Sequence, residues 1–156
     1  MSKWARILFV DDDREILKTF STLLKDAGYM VDTAETGRDA VEKSTGNFYN
    51  VALIDIRLPD MEGTKLLTAL KETTPKMVKI IVTGYPSLQN AVEAVNKGAD
   101  GYIIKPAKTE MLLDTIREQL RRQQEAEQYG EQKIKEFIER RLSELDTEEE
   151  QISKRA

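Results

Sequence analysis

Residues 7–13 read Ile-Leu-Phe-Val-Asp-Asp-Asp, a short apolar run that ends abruptly in three carboxylates. Such runs, nearly continuous in β-branched and aromatic residues, are typical of parallel strands that are buried on both faces. A more alternating stretch at residues 29–34 predicts an edge strand. Three further runs of the first kind follow along the chain: Val51-Ala-Leu-Ile54, Ile80-Ile-Val82 and Tyr102-Ile-Ile104.

Helical patterns alternate with these strands. Apolar residues recur at helical spacing after each strand, with Asp13 and Ser87 as predicted N-caps and with Gly28 and Gly98 as predicted helix ends. Five such βα units predict an α/β fold with an open, doubly wound parallel sheet, because they are too few for an eight-stranded barrel.

Composition excludes several classes of protein. The chain has 156 residues, a net charge of −4, and neither cysteine nor histidine, so disulfides, thiolate zinc sites and Ser-His-Asp triads are excluded. The first apolar run is too short for a signal peptide or a membrane span, so we expect a cytoplasmic protein without membrane contact. The acidic charge argues against direct nucleic-acid binding.

Polar side chains follow four of the strands. Asp11 and Asp12 end the first strand, Asp55 the third, Thr83 the fourth and Lys105 the fifth. Each alone has an ordinary explanation as a cap, a turn residue or a β-former. Because the carboxyl ends of parallel strands meet at one edge of the sheet, we expect these side chains to lie together. This set favours a hard cation such as Mg²⁺ and phosphoryl transfer to a carboxylate nucleophile.

These residues give the chain a resemblance to the receiver domain of two-component response regulators, the chemotaxis regulators among them. The resemblance covers about residues 4–122 and implies a flavodoxin-like sheet in the order 2-1-3-4-5. It rests on four stretches: Ile7-Leu-Phe-Val-Asp-Asp-Asp13, Leu53-Ile-Asp-Ile-Arg-Leu-Pro-Asp-Met-Glu-Gly63, Ile81-Val-Thr-Gly84 and Tyr102-Ile-Ile-Lys-Pro106.

The resemblance implies a role for each site residue. Asp55 is the expected phosphoacceptor, and Lys105 is expected to bind the phosphoryl group. Mg²⁺ is the expected cofactor, held by Asp11, Asp12 and Asp55 and by the main-chain carbonyl of Arg57.

Further expectations concern what happens after phosphorylation. Thr83 is expected to bind the phosphoryl oxygens and to act with Tyr102 as a switch pair. The Lys105–Pro106 bond is expected to be cis. Arg57 and Tyr85, two residues past Asp55 and Thr83, are expected to flank the path of an attacking water and so tune dephosphorylation.

The expected partner is a sensor histidine kinase or a histidine phosphotransfer protein, since this chain has no histidine of its own to donate from. The expected output is contact with an unknown downstream protein, and the only expected catalysis is the chain's own phosphorylation and dephosphorylation. One alternative is a Mg²⁺-dependent aspartyl-phosphate phosphohydrolase of the haloacid-dehalogenase-like kind, but Arg57 stands where that family needs an acid. A scaffold receiver that takes no phosphate is a second alternative, disfavoured by the intact acidic residues and Lys105.

We divide the chain into a receiver domain, residues 1–122, and an acidic helical extension, residues 123–156. The extension carries six basic and ten acidic residues, so it holds all of the net negative charge. The fifth helix is predicted to end near Gly130, with a short helix beginning at Asp146-Thr147. Between them lies an apolar stripe that predicts a contact with the receiver itself, a homodimer through the tail, or a contact with another protein: Ile134, Phe137, Ile138, Leu142 and Leu145.

Overall fold

The computed structural model describes residues 5–155. Residues 1–4, part of the segment used to argue against an export signal, lie outside that range. Five parallel strands form one sheet in the order β2-β1-β3-β4-β5, which confirms the predicted doubly wound α/β fold. The strands are β1 (Arg6–Val10), β2 (Met30–Ala34), β3 (Val51–Ile54), β4 (Val78–Thr83) and β5 (Gly101–Ile104).

A helix follows each strand. Within residues 5–155, no helix is long and apolar enough to cross a membrane. The helices are α1 (Arg14–Asp26), α2 (Gly37–Gly46), α3 (Gly63–Ala69), α4 (Leu88–Asn96) and α5 (Thr109–Arg155).

The sheet has an apolar layer on each face. Along β1, Ile7 and Phe9 belong to one layer, while Leu8 and Val10 belong to the other, and none is more than 2% exposed. This burial on both faces is the reason that β1 is apolar without alternation. Helices α1 and α5 cover the first layer, and α2, α3 and α4 contribute to the second.

The strand register aligns the carboxyl ends of the strands. Val10 pairs with Ile54, and the Asp55 N–H continues that ladder by donating to the Val10 carbonyl at 2.9 Å. On the other side of the sheet, the Lys105 N–H donates to the Thr83 carbonyl at 2.8 Å. The polar residues that follow the strands are therefore held by main-chain bonds at one edge of the sheet.

The predicted helix boundaries of α1 and α4 are confirmed. The Asp13 carboxylate caps α1 by accepting from the N–H groups of its first turn, and Ser87 caps α4 in a reciprocal capping box with Asn90. Gly28 and Gly98 end these helices with φ values of 101° and 95°, where a side chain would be strained.

The predicted break at Gly130 was wrong, as was the separate helix at Asp146-Thr147, because α5 runs without interruption from Thr109 to Arg155. A glycine inside a helix costs only about 1 kcal/mol relative to alanine, and strong helix formers flank this one. The Thr147 hydroxyl donates to the Ser143 carbonyl at 3.1 Å, as a threonine inside a helix does. The described residues divide into two compact units, one ending at Gln123 and the other beginning at Gln124.

Strand β4 is longer than the predicted run at residues 80–82 and includes the buried Lys79. Its ammonium group donates to the Leu67 carbonyl at 2.5 Å, and burial lowers the pKa of the amine. Lys79 interrupts the apolar pattern, so the run at residues 80–82 did not predict that the strand begins at Val78.

The loop after β3 is fastened to α2 by Asp60. Its carboxylate accepts from the N–H groups of Gly37 and Arg38, at 2.8 and 2.9 Å, in the first turn of the helix. These two hydrogen bonds favour the ionised form and lower the pKa of Asp60. A side chain distant in sequence thus caps α2 together with Thr36.

We expect Asp60→Ala to destabilise the protein by about 1 kcal/mol at neutral pH, the usual cost of losing a helix cap. Because folding lowers the Asp60 pKa, the stabilisation is present above the unfolded pKa and declines as pH falls through the folded value. Urea unfolding at pH 7 and at progressively more acidic pH would measure both effects. Glu42→Ala removes an equal charge from an exposed site in α2 and is the control; equal destabilisation by both variants would contradict the capping role.

Candidate functional site

Three carboxylates meet at the carboxyl edge of the sheet. Asp11 and Asp12 follow β1 and Asp55 follows β3, and one oxygen from each lies within 4.8 Å of the others. Asp11 and Asp55 are buried, at 1% and 4% exposure, whereas Asp12 is open to solvent. The Asp13 N–H donates to Asp11 at 2.9 Å and helps to orient that carboxylate.

Lys105 reaches this cluster from the end of β5. Its Nζ lies 2.5 Å from Asp11 Oδ2 and 3.3 Å from Asp55 Oδ2. Burial alone would lower the pKa of Lys105, but the hydrogen bond to Asp11 and the charges of Asp11 and Asp55 outweigh it and raise the pKa. Burial raises the pKa of Asp11, and the bond to Lys105 offsets part of that rise. One ammonium group therefore pairs with the two buried carboxyl groups of the cluster.

Asp55 retains a free ligand position. Its Oδ1 is buried and, among the described residues, is one of few buried side-chain oxygens without a hydrogen-bond partner. A buried acceptor without a partner is costly, so this oxygen favours a cation or another ligand in the cluster. All of the candidate metal-ligand atoms in the cluster are carboxylate oxygens, which suit a hard cation such as Mg²⁺. The residues present therefore fit the metal expected from the sequence.

The loop after Asp55 is tight. The Gly63 N–H donates to the Ile56 carbonyl at 2.6 Å, and a Cβ at position 63 would collide with the main-chain oxygen of Asp55. Arg57 forms an isolated antiparallel bridge with Glu62 across this loop. Only glycine at position 63 lets the start of α3 approach the Asp55 main chain so closely.

Arg57 and Tyr85, singled out by the sequence analysis, are in contact. The Arg57 guanidinium stacks over the Tyr85 ring at 3.9 Å from its centroid, a cation–π geometry. Both side chains are exposed, and they come from the loops that follow β3 and β4.

Thr83 and Tyr102 are not hydrogen-bonded to each other. Thr83 is fully buried, and its hydroxyl accepts from the Tyr85 N–H at 3.0 Å. The hydroxyl of the half-buried Tyr102 donates to Asn90 Oδ1 at 2.5 Å. The Lys105–Pro106 peptide bond is cis.

Asn90 was not among the site residues expected from the sequence. The spacing from Ser87 to Asn90 is that of a capping box, which marks a helix start but says nothing about Tyr102. Residues 90 and 102 lie on different elements, so only the packing of α4 beside β5 brings them together.

The fold and site define a class of protein: a doubly wound parallel sheet that presents an acidic cluster and a lysine at the carboxyl edge of its strands. The family model described as the response regulator receiver domain matches residues 7–117. The chain belongs to this family, whose members typically bind Mg²⁺ and act in two-component signal transduction.

Relatives and solved structures agree with that assignment. Transcriptional regulatory protein ZraR of Klebsiella oxytoca is 38% identical over 114 residues, which cover 73% of this chain and 26% of the relative. The chain thus spans about a quarter of the length of that relative. A CheY-like receiver domain protein of Methanospirillum hungatei JF-1 is 47% identical with a TM-score of 0.76, covering 79% of this chain and 98% of that one.

A third match is described as carrying a ligand set. It is a response regulator protein from Burkholderia pseudomallei, described as having a phosphorylated aspartic acid, a calcium ion and citrate. It is 28% identical with a TM-score of 0.69, over 79% of this chain and 72% of that one.

We expect Mg²⁺ to bind the acidic cluster in the absence of any phosphodonor. Asp12→Asn should weaken binding by about tenfold or more, because the affinity of a hard cation follows the charge of its ligands. Titration calorimetry would measure the affinity. The matched control is Asp13→Asn, which removes the neighbouring charge but keeps a good N-cap, and equal weakening in both variants would show that the cluster is not the site.

Proposed function

We propose that this chain is the phosphoacceptor of a two-component pathway and takes a phosphoryl group from a partner's phosphohistidine onto Asp55. The donor would be a sensor histidine kinase or a histidine phosphotransfer protein, and the exchange would take place in the cytoplasm. The observation that carries the proposal is the buried Asp55 carboxylate, with Oδ1 unpartnered and Lys105 beside Oδ2.

The transfer makes one bond and breaks one. An Asp55 oxygen bonds to phosphorus as the P–N bond to the donor imidazole breaks, and the departing ring nitrogen takes up a proton. Lys105 is held protonated at the site and pairs with the phosphoryl oxygens as their charge arrives. Mg²⁺, held by Asp11, Asp12, Asp55 and the Arg57 carbonyl, would supply further positive charge to those oxygens when bound.

The acyl phosphate then alters the neighbouring surface. Its added charge attracts the Thr83 hydroxyl, and the movement of Thr83 lets Tyr102 rotate inward as the second half of the switch. The surface affected is formed by α4, β5 and the start of α5, and it exposes apolar side chains suited to a protein partner: Leu88, Val92, Val95, Ile104 and Met111.

The lifetime of the acyl phosphate is set by its access to water. The stacked Arg57 and Tyr85 come from the two loops that flank Asp55 and Thr83. By keeping each other in place, the two side chains restrict the approach of an attacking water and slow hydrolysis.

Two observations favour this function over its alternatives. Arg57 occupies the position at which an aspartyl-nucleophile phosphohydrolase of the haloacid-dehalogenase kind needs its second acid. A scaffold receiver that takes no phosphate would not require a buried Asp55 carboxylate paired with Lys105. The phosphorylated aspartic acid and calcium ion of the Burkholderia pseudomallei regulator lend further support.

We expect incubation with Mg²⁺ and a small phosphodonor such as acetyl phosphate to add one phosphoryl group at Asp55. Intact-mass spectrometry should detect it in the unmodified chain and in Asp13→Asn, but not in Asp55→Asn or after addition of a chelator. Hydroxylamine should remove the group, as it does from acyl phosphates. Undiminished labelling of Asp55→Asn would refute the assignment.

We further propose that residues 123–156 act apart from the receiver of residues 1–122, as a surface for self-association. The apolar stripe, which the structure extends to Ile152, lies on one side of α5 and is at least 40% exposed at every position: Ile134, Phe137, Ile138, Leu142, Leu145 and Ile152. A stripe of this length is typical of a helix that pairs with another helix.

The charges along this segment favour an antiparallel pair. Residues 133–141 carry four basic and two acidic residues, whereas residues 144–150 carry five acidic and no basic residues. An antiparallel pair centred near Ser143 sets the basic segment of each copy against the acidic segment of the other. A parallel pair would instead set Arg141 against Arg141 and acid against acid.

We expect the full chain to self-associate at micromolar to millimolar concentration in sedimentation equilibrium. Ile138→Asp should abolish association by placing a charge in the stripe, whereas Glu136→Ala on the opposite face should not. The chain has no cysteine, so orientation can be read from introduced ones. A mixture of Ile134→Cys and Ile152→Cys should cross-link in an antiparallel pair, while cross-linking of Ile134→Cys alone would indicate a parallel pair. A monomer at all concentrations would refute self-association.

A further inference from the structure

A chain of three hydrogen bonds connects Thr83 to Tyr102. The Tyr85 N–H donates to Thr83 Oγ1 at 3.0 Å, and the Tyr85 carbonyl accepts from Asn90 Nδ2 at 3.0 Å. Asn90 Oδ1 in turn accepts from the Tyr102 hydroxyl at 2.5 Å. The Asn90 side chain thus joins the loop after β4 to the ring on β5 through hydrogen bonds to both.

We propose that Asn90 is a positioning residue that holds Tyr102 in its unphosphorylated arrangement and couples its release to Thr83. This inference rests on the switch role proposed for Thr83 and Tyr102. It adds the element that transmits the change from one to the other.

The geometry gives the order of events. When the Thr83 hydroxyl turns toward a phosphoryl oxygen, it no longer accepts from the Tyr85 N–H. The Tyr85 main chain is then free to move, and its carbonyl no longer anchors the Asn90 amide. Asn90 Oδ1 also accepts from the Ser87 N–H at 3.2 Å, so the amide can remain bonded to the helix cap after it leaves the Tyr85 carbonyl. In that position it no longer accepts from the Tyr102 hydroxyl, which is released.

Linkage fixes the direction of the effect of mutation. An interaction made only in the unphosphorylated arrangement opposes phosphorylation. Removal of that interaction must therefore favour phosphorylation. The net worth of one hydrogen bond corresponds to a shift of about two- to tenfold in the ratio of the two arrangements.

The test follows the Tyr102 ring directly. Fluorotyrosine incorporation followed by ¹⁹F NMR reports each of the five tyrosines, and Tyr102→Phe assigns the relevant signal. In unphosphorylated Asn90→Ala, the Tyr102 signal should shift toward its position in the phosphorylated chain. The rate of labelling by acetyl phosphate should also rise about two- to tenfold.

The matched control is Ser87→Ala. It removes the other half of the same capping box, the bond from the Asn90 N–H to Ser87 Oγ at 3.1 Å, and leaves all three Asn90 side-chain bonds available. Its Tyr102 signal and labelling rate should match those of the unmodified chain. Equal shifts in Asn90→Ala and Ser87→Ala would overturn the proposal, because loss of the cap would then explain both.

A second variant separates the Asn90 bond to the Tyr85 carbonyl from the Asn90 bond to the Tyr102 hydroxyl. Asn90→Asp keeps an acceptor for the Tyr102 hydroxyl but loses the donor to the Tyr85 carbonyl. The Tyr102 signal should therefore lie nearer its phosphorylated position before any phosphorylation, and should move less on phosphorylation than in the unmodified chain. A full movement in this variant would show that the Tyr85 bond does not carry the coupling.

Failure of the proposed function gives a different result. It would leave Asp55 unlabelled in every variant, while the Tyr102 signal of Asn90→Ala would still test whether Asn90 holds the ring. An unmoved Tyr102 signal in Asn90→Ala, in a chain that does label at Asp55, would refute the positioning role alone.

Discussion

The site depends on the confinement of three carboxylates beside one lysine. Asp11 and Asp55 are nearly buried, and the Lys105 ammonium group bonds to both. Like charges at this range repel, so the arrangement is stable only because the parallel ladder fixes the main chain at each position and Lys105 supplies an opposite charge. A divalent cation would complete the charge balance that a single ammonium group leaves partial.

The fold serves this confinement through its two apolar layers. Strands that are buried on both faces leave a side chain little access to water along their length, so most of their polar groups lie where the strands end. Lys79, inside β4, is an exception because its ammonium group donates to the Leu67 carbonyl. At that edge, Asp13 and Ser87 begin helices in the same few residues that approach the site, and Gly63 admits α3 against the Asp55 main chain. Helix capping and site construction therefore use the same loops.

The proposed signal follows from the contrast between rigid and adjustable groups. The carboxylates and Lys105 are held by main-chain ladders and burial, whereas Tyr102 and Tyr85 are at least partly exposed and held by a few hydrogen bonds. A local change of charge can therefore move Tyr102 and Tyr85 to another arrangement without disturbing the carboxylates and Lys105. The exposed apolar residues of α4 and β5 lie next to the adjustable group, where a partner would sense the change.

Much of this protein was readable from its sequence. Continuous apolar runs that end in Asp11, Asp55, Thr83 and Lys105 predicted both the sheet and the edge at which these residues meet, because the apolar pattern of a buried strand and the direction of its main chain are written in consecutive residues. Other features depended on distant contacts. Lys79 is accommodated within a strand because its ammonium group donates to the Leu67 carbonyl. Helix α5 continues through Gly130 because the residues on either side of it are strong helix formers. The Arg57–Tyr85 stack, the Asp60 cap of α2 and the Asn90–Tyr102 bond each join residues on different elements. Side-chain partners of that kind are set by how elements pack, which no periodicity along a single segment records.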